Sequence, residues 1–136
     1  MNYTNDYEGE QYYNYQVQQK FNKTLNYQKG QIGESSAVSF LKNKGYKILE
    51  TNYRNKIGEI DIIAQKDNRV IFVEVKQRAT ARFGYPREAV TNHKQQKIRL
   101  VSQVYLKQKG LTNAFLRYDV IEILGDEITH LENAFW

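Results

Sequence analysis

The sequence predicts an α/β fold in which a mixed β-sheet is flanked by α-helices. Two runs of β-branched and apolar residues, Glu59–Ala64 and Val70–Val75, surround the turn pair Asp67-Asn68 and predict a hairpin. Segments with apolar residues at helical spacing precede and follow this hairpin. The resulting order is helix, three-strand meander, helix and one or two strands, which is typical of a mixed sheet covered by helices.

The first half of this order is predicted from spacing and stop signals. A helix is expected from Gln31 to Asn43, because apolar residues recur there every three or four positions and Gly45 can end it. A strand follows at Tyr46–Tyr53, with the Tyr46 ring facing the core. The hairpin strands are predicted at about Gly58–Gln65 and Arg69–Gln77.

The second half begins with a loop. Ala79–Pro86 shows no periodicity and contains the chain's single proline. A second helix is expected from Asn92 to Lys109, capped by Thr91 and ended by Gly110. Its buried stripe would consist of Ile98, Val101 and Tyr105. The last strands are predicted at Leu116–Leu124 and near Ile128–Leu131.

Composition divides the chain into an extension and one folded domain. Residues 1–28 are rich in Asn, Gln and Tyr and are expected to be disordered or partly helical, whereas residues 29–136 form the domain. The 136 residues include no cysteine, which excludes disulfides, cysteine zinc sites and thiol catalysis. No segment reaches the length of a membrane span, so we expect a cytoplasmic protein without a membrane partner.

The net charge of +5 is unevenly distributed along the chain. Nine Lys or Arg residues and a single acid, Glu88, lie between Lys76 and Lys109. Five acids and no Lys or Arg lie between Asp119 and Glu132. The basic half suits a polyanion such as nucleic acid. The alternative is that basic residues merely coat one exposed helix face.

The predicted register of the hairpin brings charged residues together. If the turn pair forms the loop, Asp61 lies opposite Glu74 and Glu59 lies opposite Lys76, all on one face of the sheet. Two carboxylates directly across a ladder have Cβ atoms about 5 Å apart and repel each other. A divalent cation between Asp61 and Glu74 would relieve this repulsion, and Lys76 could orient the attacking water of a phosphodiester hydrolysis. The alternative is a solvated strand face with a Glu59–Lys76 ion pair.

Two further acids, Glu34 and Glu59, are expected near this site. Glu34 lies on the inward stripe of the first helix, where it is either a third site acid or a first-turn residue favoured by the helix dipole. Glu59 is expected to pair with Lys76 or a nearby Arg rather than to bind metal.

Several motifs together carry a family resemblance. In order they are Gly33-Glu34, Asn52-Tyr53-Arg54 with Gly58-Glu59-Ile60-Asp61, Phe72-Val73-Glu74-Val75-Lys76, Phe83-Gly84 and Arg117-Tyr118-Asp119-Val120. Over these segments the chain resembles the YraN family of small bacterial proteins, which are predicted endonucleases of the restriction-endonuclease-like superfamily and similar to archaeal Holliday-junction resolvases. The resemblance implies a restriction-endonuclease-like mixed sheet flanked by helices, and an acidic site that binds Mg²⁺ or Mn²⁺. Its site acids and lysine match Glu34, Asp61, Glu74 and Lys76.

The leading hypothesis is a metal-dependent DNA endonuclease acting on branched or damaged DNA. Asp61, Glu74 and the Val75 carbonyl would hold the metal, with Glu34 as an outer ligand and Lys76 serving the water. Five basic residues would contact DNA phosphates: Arg78, Arg82, Lys94, Lys97 and Arg99. A homodimer is expected by analogy with junction resolvases. The alternatives are a non-catalytic nucleic-acid-binding protein on the same fold and a purely interaction-based role.

Overall fold

The computed structural model describes residues 16–20, 31–78 and 90–136. The chain divides into two compact units, Met1–Ile32 and Gly33–Trp136. In the first unit, residues 16–20 are helical and exposed. The predicted division after residue 28 stays a prediction, and the predicted loop Ala79–Pro86 lies outside the described residues.

The elements form a mixed sheet with helices before and after the central hairpin. In chain order they are α1 (residues 31–43), β1 (Lys47–Arg54), β2 (Glu59–Lys66), β3 (Arg69–Arg78), α2 (Asn92–Gln108), β4 (Phe115–Leu124) and β5 (Glu127–Phe135). The five strands are arranged in the order β1-β2-β3-β4-β5. The β3–β4 pair is parallel and the other three pairs are antiparallel. The predicted α/β, restriction-endonuclease-like mixed sheet is confirmed.

The predicted hairpin turn and the predicted ends of the second helix are present in the structure. The turn pair closes the hairpin, with Lys66 opposite Arg69, and Asp67 takes a positive φ of 55°. Asn and Asp tolerate this left-handed conformation better than most residues. Thr91 caps α2 by accepting a hydrogen bond from the Lys94 amide at 3.3 Å. Gly110 follows the helix with φ 67°, a conformation that favours glycine.

Both faces of the sheet are covered, as a parallel β3–β4 crossover requires. The face under α2 contains a cluster built around Phe72, Val101 and Tyr105. The opposite face packs Leu41 of α1 against a second cluster that includes Ile71. The two helices therefore lie on opposite faces of the sheet. Side chains from both helices come near Asp61, where β2 and β3 stop pairing.

The last strand is longer than predicted. The sequence predicted a strand only near Ile128–Leu131, whereas β5 extends to Phe135. Its register against β4 shifts between Tyr118 and Val120, and Asn133 has a positive φ of 53°. The sequence of β5 is largely polar and lacks the apolar alternation that identifies a strand. Its strand conformation depends instead on hydrogen bonding to β4.

The described residues also bear on membrane insertion. None of the helices within residues 16–20, 31–78 and 90–136 has the length and apolar character needed to cross a bilayer.

Candidate functional site

The candidate site lies where β2 and β3 stop pairing. Their ladder runs from Lys66–Arg69 to Ile62–Val73, while β3 continues beside β4 as far as Arg78. Beyond the Ile62–Val73 pair, a backbone amide of β3 donates to the Asp61 side chain and not to a carbonyl of β2. Its Oδ2 accepts from the Val75 amide at 2.8 Å. The carboxylate of Asp61 is thereby held against the main chain of the segment Glu74-Val75.

Asp61, which is half-buried, and Glu74, which is buried, form a pair of neighbouring carboxylates. Glu74 is only 4% exposed. Burial and then repulsion from Glu74 raise the pKa of Asp61 to about 7, although the Val75 amide and Lys94 oppose this shift. Acids with pKa values raised in this way are common in functional sites. The predicted proximity of the two carboxylates is therefore present, one position beyond the regular ladder.

Glu34 approaches the pair from α1. Burial and the charge of Asp61 raise its pKa, while a hydrogen bond with the Asn52 side chain lowers it. The preceding Gly33 packs closely against the Gln77 side chain of β3, which would have to move if a Cβ were added at that position. Glu34 therefore lies within electrostatic range of Asp61, and its role as a third site acid stays a prediction.

Lys76 and Glu59 do not form the cross-strand ion pair. Glu59 pairs instead with Arg54 of β1, with Oε2 2.7 Å from Nη2, which is the predicted alternative of a nearby arginine. Lys76 follows Glu74 by two residues on β3 and is half-buried. Among the residues that the structure describes, no hydrogen bond or ion pair involves the Lys76 ammonium. Its charge is available to a ligand at the site.

The sequence did not predict that Lys94 would contact the acidic pair. Its Nζ lies 2.5 Å from Glu74 Oε1, and its side chain is 41% exposed while that of Glu74 is 4% exposed. Burial lowers the pKa of Lys94, but the hydrogen bond and the attraction to Glu74 outweigh burial and raise it. Lys94 was predicted to meet DNA phosphates, and the structure places it on the site carboxylate instead.

Comparison with known proteins identifies the family. The model of the family described as "Uncharacterised protein family UPF0102" matches residues 33–123. The chain belongs to the UPF0102 family. This result confirms the YraN-like resemblance.

Two relatives illustrate the extent of the similarity. A UPF0102 protein of Clostridioides difficile is 51% identical over 81% of this chain and 98% of its own length. A UPF0102 protein of Alkaliphilus oremlandii is 51% identical over 82% of this chain and its full length. Among solved structures, one titled "Crystal structure of SSO0001" is 23% identical, covers 76% of this chain and half of its own, and has a TM-score of 0.40.

The basic residues of this UPF0102 protein differ in their surroundings. Arg78 is buried against Glu122, with Nη2 3.3 Å from Oε2, and only 8% of its side chain is exposed. Arg99 lies over the Phe135 ring at 5.5 Å. Lys97 is exposed on α2. Arg82 lies outside the described residues. Lys97 and Arg99 therefore remain the described candidates for phosphate contacts.

The carboxylate pair can be compared with the needs of a divalent metal ion. Mg²⁺ is usually held by one or two carboxylates, with water and substrate oxygens completing its octahedron. Asp61 and Glu74 meet this requirement beside the Val75 main chain. Within residues 16–20, 31–78 and 90–136, no group of three or more acidic or histidine side chains is arranged to hold a metal. The pair thus fits a hard ion that keeps most of its water ligands.

A second buried carboxylate lies in a different environment. Asp119 is fully buried and accepts hydrogen bonds from Arg117 at 2.8 and 2.9 Å and from the Asn133 amide at 2.9 Å. Its Oδ2 lies 2.7 Å from His130 Nε2. Burial raises the pKa of Asp119, but these partners outweigh burial and lower it. The sequence predicted neither this network nor a partner for His130.

Proposed function

We propose that this UPF0102 protein is a metal-dependent endonuclease that hydrolyses phosphodiester bonds in DNA, with branched or damaged DNA as its substrate. The observation that carries the proposal is the Asp61–Glu74 pair, in which the Asp61 carboxylate is held at the Val75 amide beside the buried Glu74, and burial and then repulsion from Glu74 raise the pKa of Asp61 to about 7. Two adjacent carboxylates offer the negatively charged oxygen ligands that a hard cation prefers. Phosphodiester hydrolysis is a reaction that such a cation assists.

The metal would be Mg²⁺ or Mn²⁺. Asp61 and Glu74 would hold it with the Val75 carbonyl, and Glu34 would act through an outer position beside Asp61. When bound, the ion would neutralise charge on the phosphate oxygens and lower the pKa of a coordinated water.

The chain's own basic residues can orient the attacking water and bind the DNA backbone. Lys76, half-buried and unpaired among the described residues, can orient the attacking water and stabilise developing negative charge. Lys97 and Arg99 on α2 can bind the phosphate backbone, which positions the substrate without reading its sequence. The substrate class follows from the family resemblance and is part of the proposal.

The direct test is DNA cleavage with Mg²⁺ or Mn²⁺ on branched, single-stranded and duplex substrates. We expect Asp61→Ala to reduce cleavage by about 10³-fold and Lys76→Ala by about 10²-fold, the range seen when one group that stabilises transition-state charge is removed. Glu59→Ala is the matched control, because Glu59 lies on the same strand but pairs with Arg54 at the surface. Cleavage that survives both site substitutions would refute the mechanism.

A second candidate function is non-catalytic binding of nucleic acid. It is favoured by the Lys94 ammonium, which already neutralises Glu74 without any metal. This alternative predicts salt-sensitive DNA binding with the same affinity in EDTA and in Mg²⁺, no effect of Asp61→Asn, and no cleavage of any substrate. The two functions therefore differ in the metal dependence of binding and in the response to one conservative substitution.

A further inference from the structure

We infer that Lys94 is a built-in counter-ion of the Asp61–Glu74 pair, and that a divalent metal ion must displace its ammonium from Glu74 in order to bind. Lys94 would then be a positioning residue that controls metal affinity. This inference rests on the proposed function, since it concerns the same site.

The first observation is the contact itself. The Lys94 ammonium reaches Glu74 Oε1 at 2.5 Å, a short ion-paired hydrogen bond. Glu74 is 4% exposed, so water can offer its carboxylate little solvation. A buried carboxylate without a positive partner is costly, and among the residues that the structure describes Lys94 is the cation in contact with Glu74. A metal that binds through Glu74 competes with the ammonium for the same oxygen atoms.

The second observation is the balance of charge. Asp61 and Glu74 lie together, and Glu34 and Glu59 add negative charge around Lys94 and Asp61. Lys76 contributes no ion pair among the described residues, although it is next to Glu74 on the same strand face. One lysine from the opposing helix therefore supplies the positive charge that the pair requires. A second cation at the same place would be repelled by it.

The third observation is that Lys94 can leave without disturbing the fold. It is the third residue of α2, and its backbone amide is held by the Thr91 cap. Its side chain is 41% exposed on a flexible four-carbon stem, so the ammonium can turn toward solvent while the backbone stays in place.

The test is a Mg²⁺ titration of the full chain, followed by the rise in unfolding temperature and by calorimetry. Wild type would be compared with Lys94→Met, Lys94→Gln, Lys94→Arg and the matched control Lys97→Met. Lys97 is on the same helix, but it is exposed and has no recorded partner in the described part of the chain. Measurement at pH 8.5, above the pKa of Asp61, limits competition from protons. A ligand that binds only the folded state raises its stability, so both readouts report affinity without enzymatic turnover.

We expect Lys94→Met and Lys94→Gln to bind Mg²⁺ about 5- to 10-fold more tightly than wild type, as the loss of one competing ion pair predicts. Lys94→Arg should restore affinity to near that of wild type, and Lys97→Met should change it less than about twofold. Two uncharged replacements guard against one that folds poorly.

Equal or weaker Mg²⁺ binding by both uncharged variants would overturn the role of Lys94 and leave the proposed metal site intact. An equal gain in Lys97→Met would overturn it as well, because the effect would then be one of general charge. If wild type and every variant fail to bind Mg²⁺, the inference fails together with the metal dependence of the proposed function.

Discussion

Asp61 and Asp119 are carboxylates of the same sheet, one half-buried and the other fully buried, and their pKa values move in opposite directions. Asp119 receives hydrogen bonds from the Arg117 guanidinium, the His130 ring and a backbone amide, and its pKa is lowered. Asp61 receives one backbone amide and lies beside another carboxylate, and its pKa is raised to about 7. Burial acts in the same direction on both acids, so the partners account for the difference.

This contrast distinguishes an acid whose charge is compensated within the fold from an acid whose charge is not. Asp119 has its charge compensated within the fold and has no need for an external ligand. Among the described residues, Asp61 and the buried Glu74 have one lysine, Lys94, near two carboxylates, so their charge is incompletely compensated. Proteins tend to violate the rules of local consistency at functional sites and to obey them elsewhere.

The largest expected effect concerns Asp119. Replacing it with alanine would leave the largely buried Arg117 with only the more distant Glu132 carboxylate at 3.8 Å, and we expect the free energy of unfolding to fall by about 3–5 kcal/mol. Urea unfolding monitored by circular dichroism would measure the change. Asp126→Ala, at an exposed turn, is the control and should cost less than about 0.5 kcal/mol. A similar small loss for both variants would show that the Asp119 network contributes little.

The second effect concerns the pH dependence of stability. The pKa of Asp61 is about 7 in the folded protein against 3.8 for an ordinary aspartate, so the folded state holds a proton that the unfolded state releases. Asp61 should therefore reduce stability as pH rises from about 4 to about 7. The lowered pKa of Asp119 has the opposite sign, because its stabilising contribution is lost as pH falls below about 4.

Urea unfolding in EDTA at a series of pH values would distinguish the two acids. We expect Asp61→Asn to remove the decline between pH 4 and 7 and to be about 2 kcal/mol more stable than wild type at pH 8. The asparagine can still accept the hydrogen bond from the Val75 amide, so the fold should be retained. A decline of unchanged size in Asp61→Asn would show that Asp61 is not its source.

The smallest effect concerns the surfaces near the two acids. If DNA binds over α2, Lys97→Met should weaken binding about two- to fivefold and reduce the salt dependence by about one counterion. Lys44 lies beside His130 and Glu132, near Asp119, so Lys44→Met should leave the DNA affinity and its salt dependence unchanged. Fluorescence anisotropy at several salt concentrations would measure this. The reverse pattern would place DNA over the Asp119 region.

Much of the fold could be predicted because its signals are local. The turn pair determined the hairpin register, and that prediction is confirmed from Lys66–Arg69 to Ile62–Val73. Thr91 and Gly110 marked the ends of α2 for the same reason. β5 was underestimated because its strand character depends on β4, which the local sequence of β5 does not reveal.

The candidate site was only partly predictable. The sequence by itself determined which carboxylates would face each other, because strand alternation and a two-residue turn leave few registers. Tertiary structure decided which charges compensate them. Lys94 is twenty positions from Glu74, and no local pattern connects a helix residue to a particular strand acid. The same holds for Asp119 and His130. Electrostatic compensation depends on distance and burial in space, and these arise only when the helices pack on the sheet.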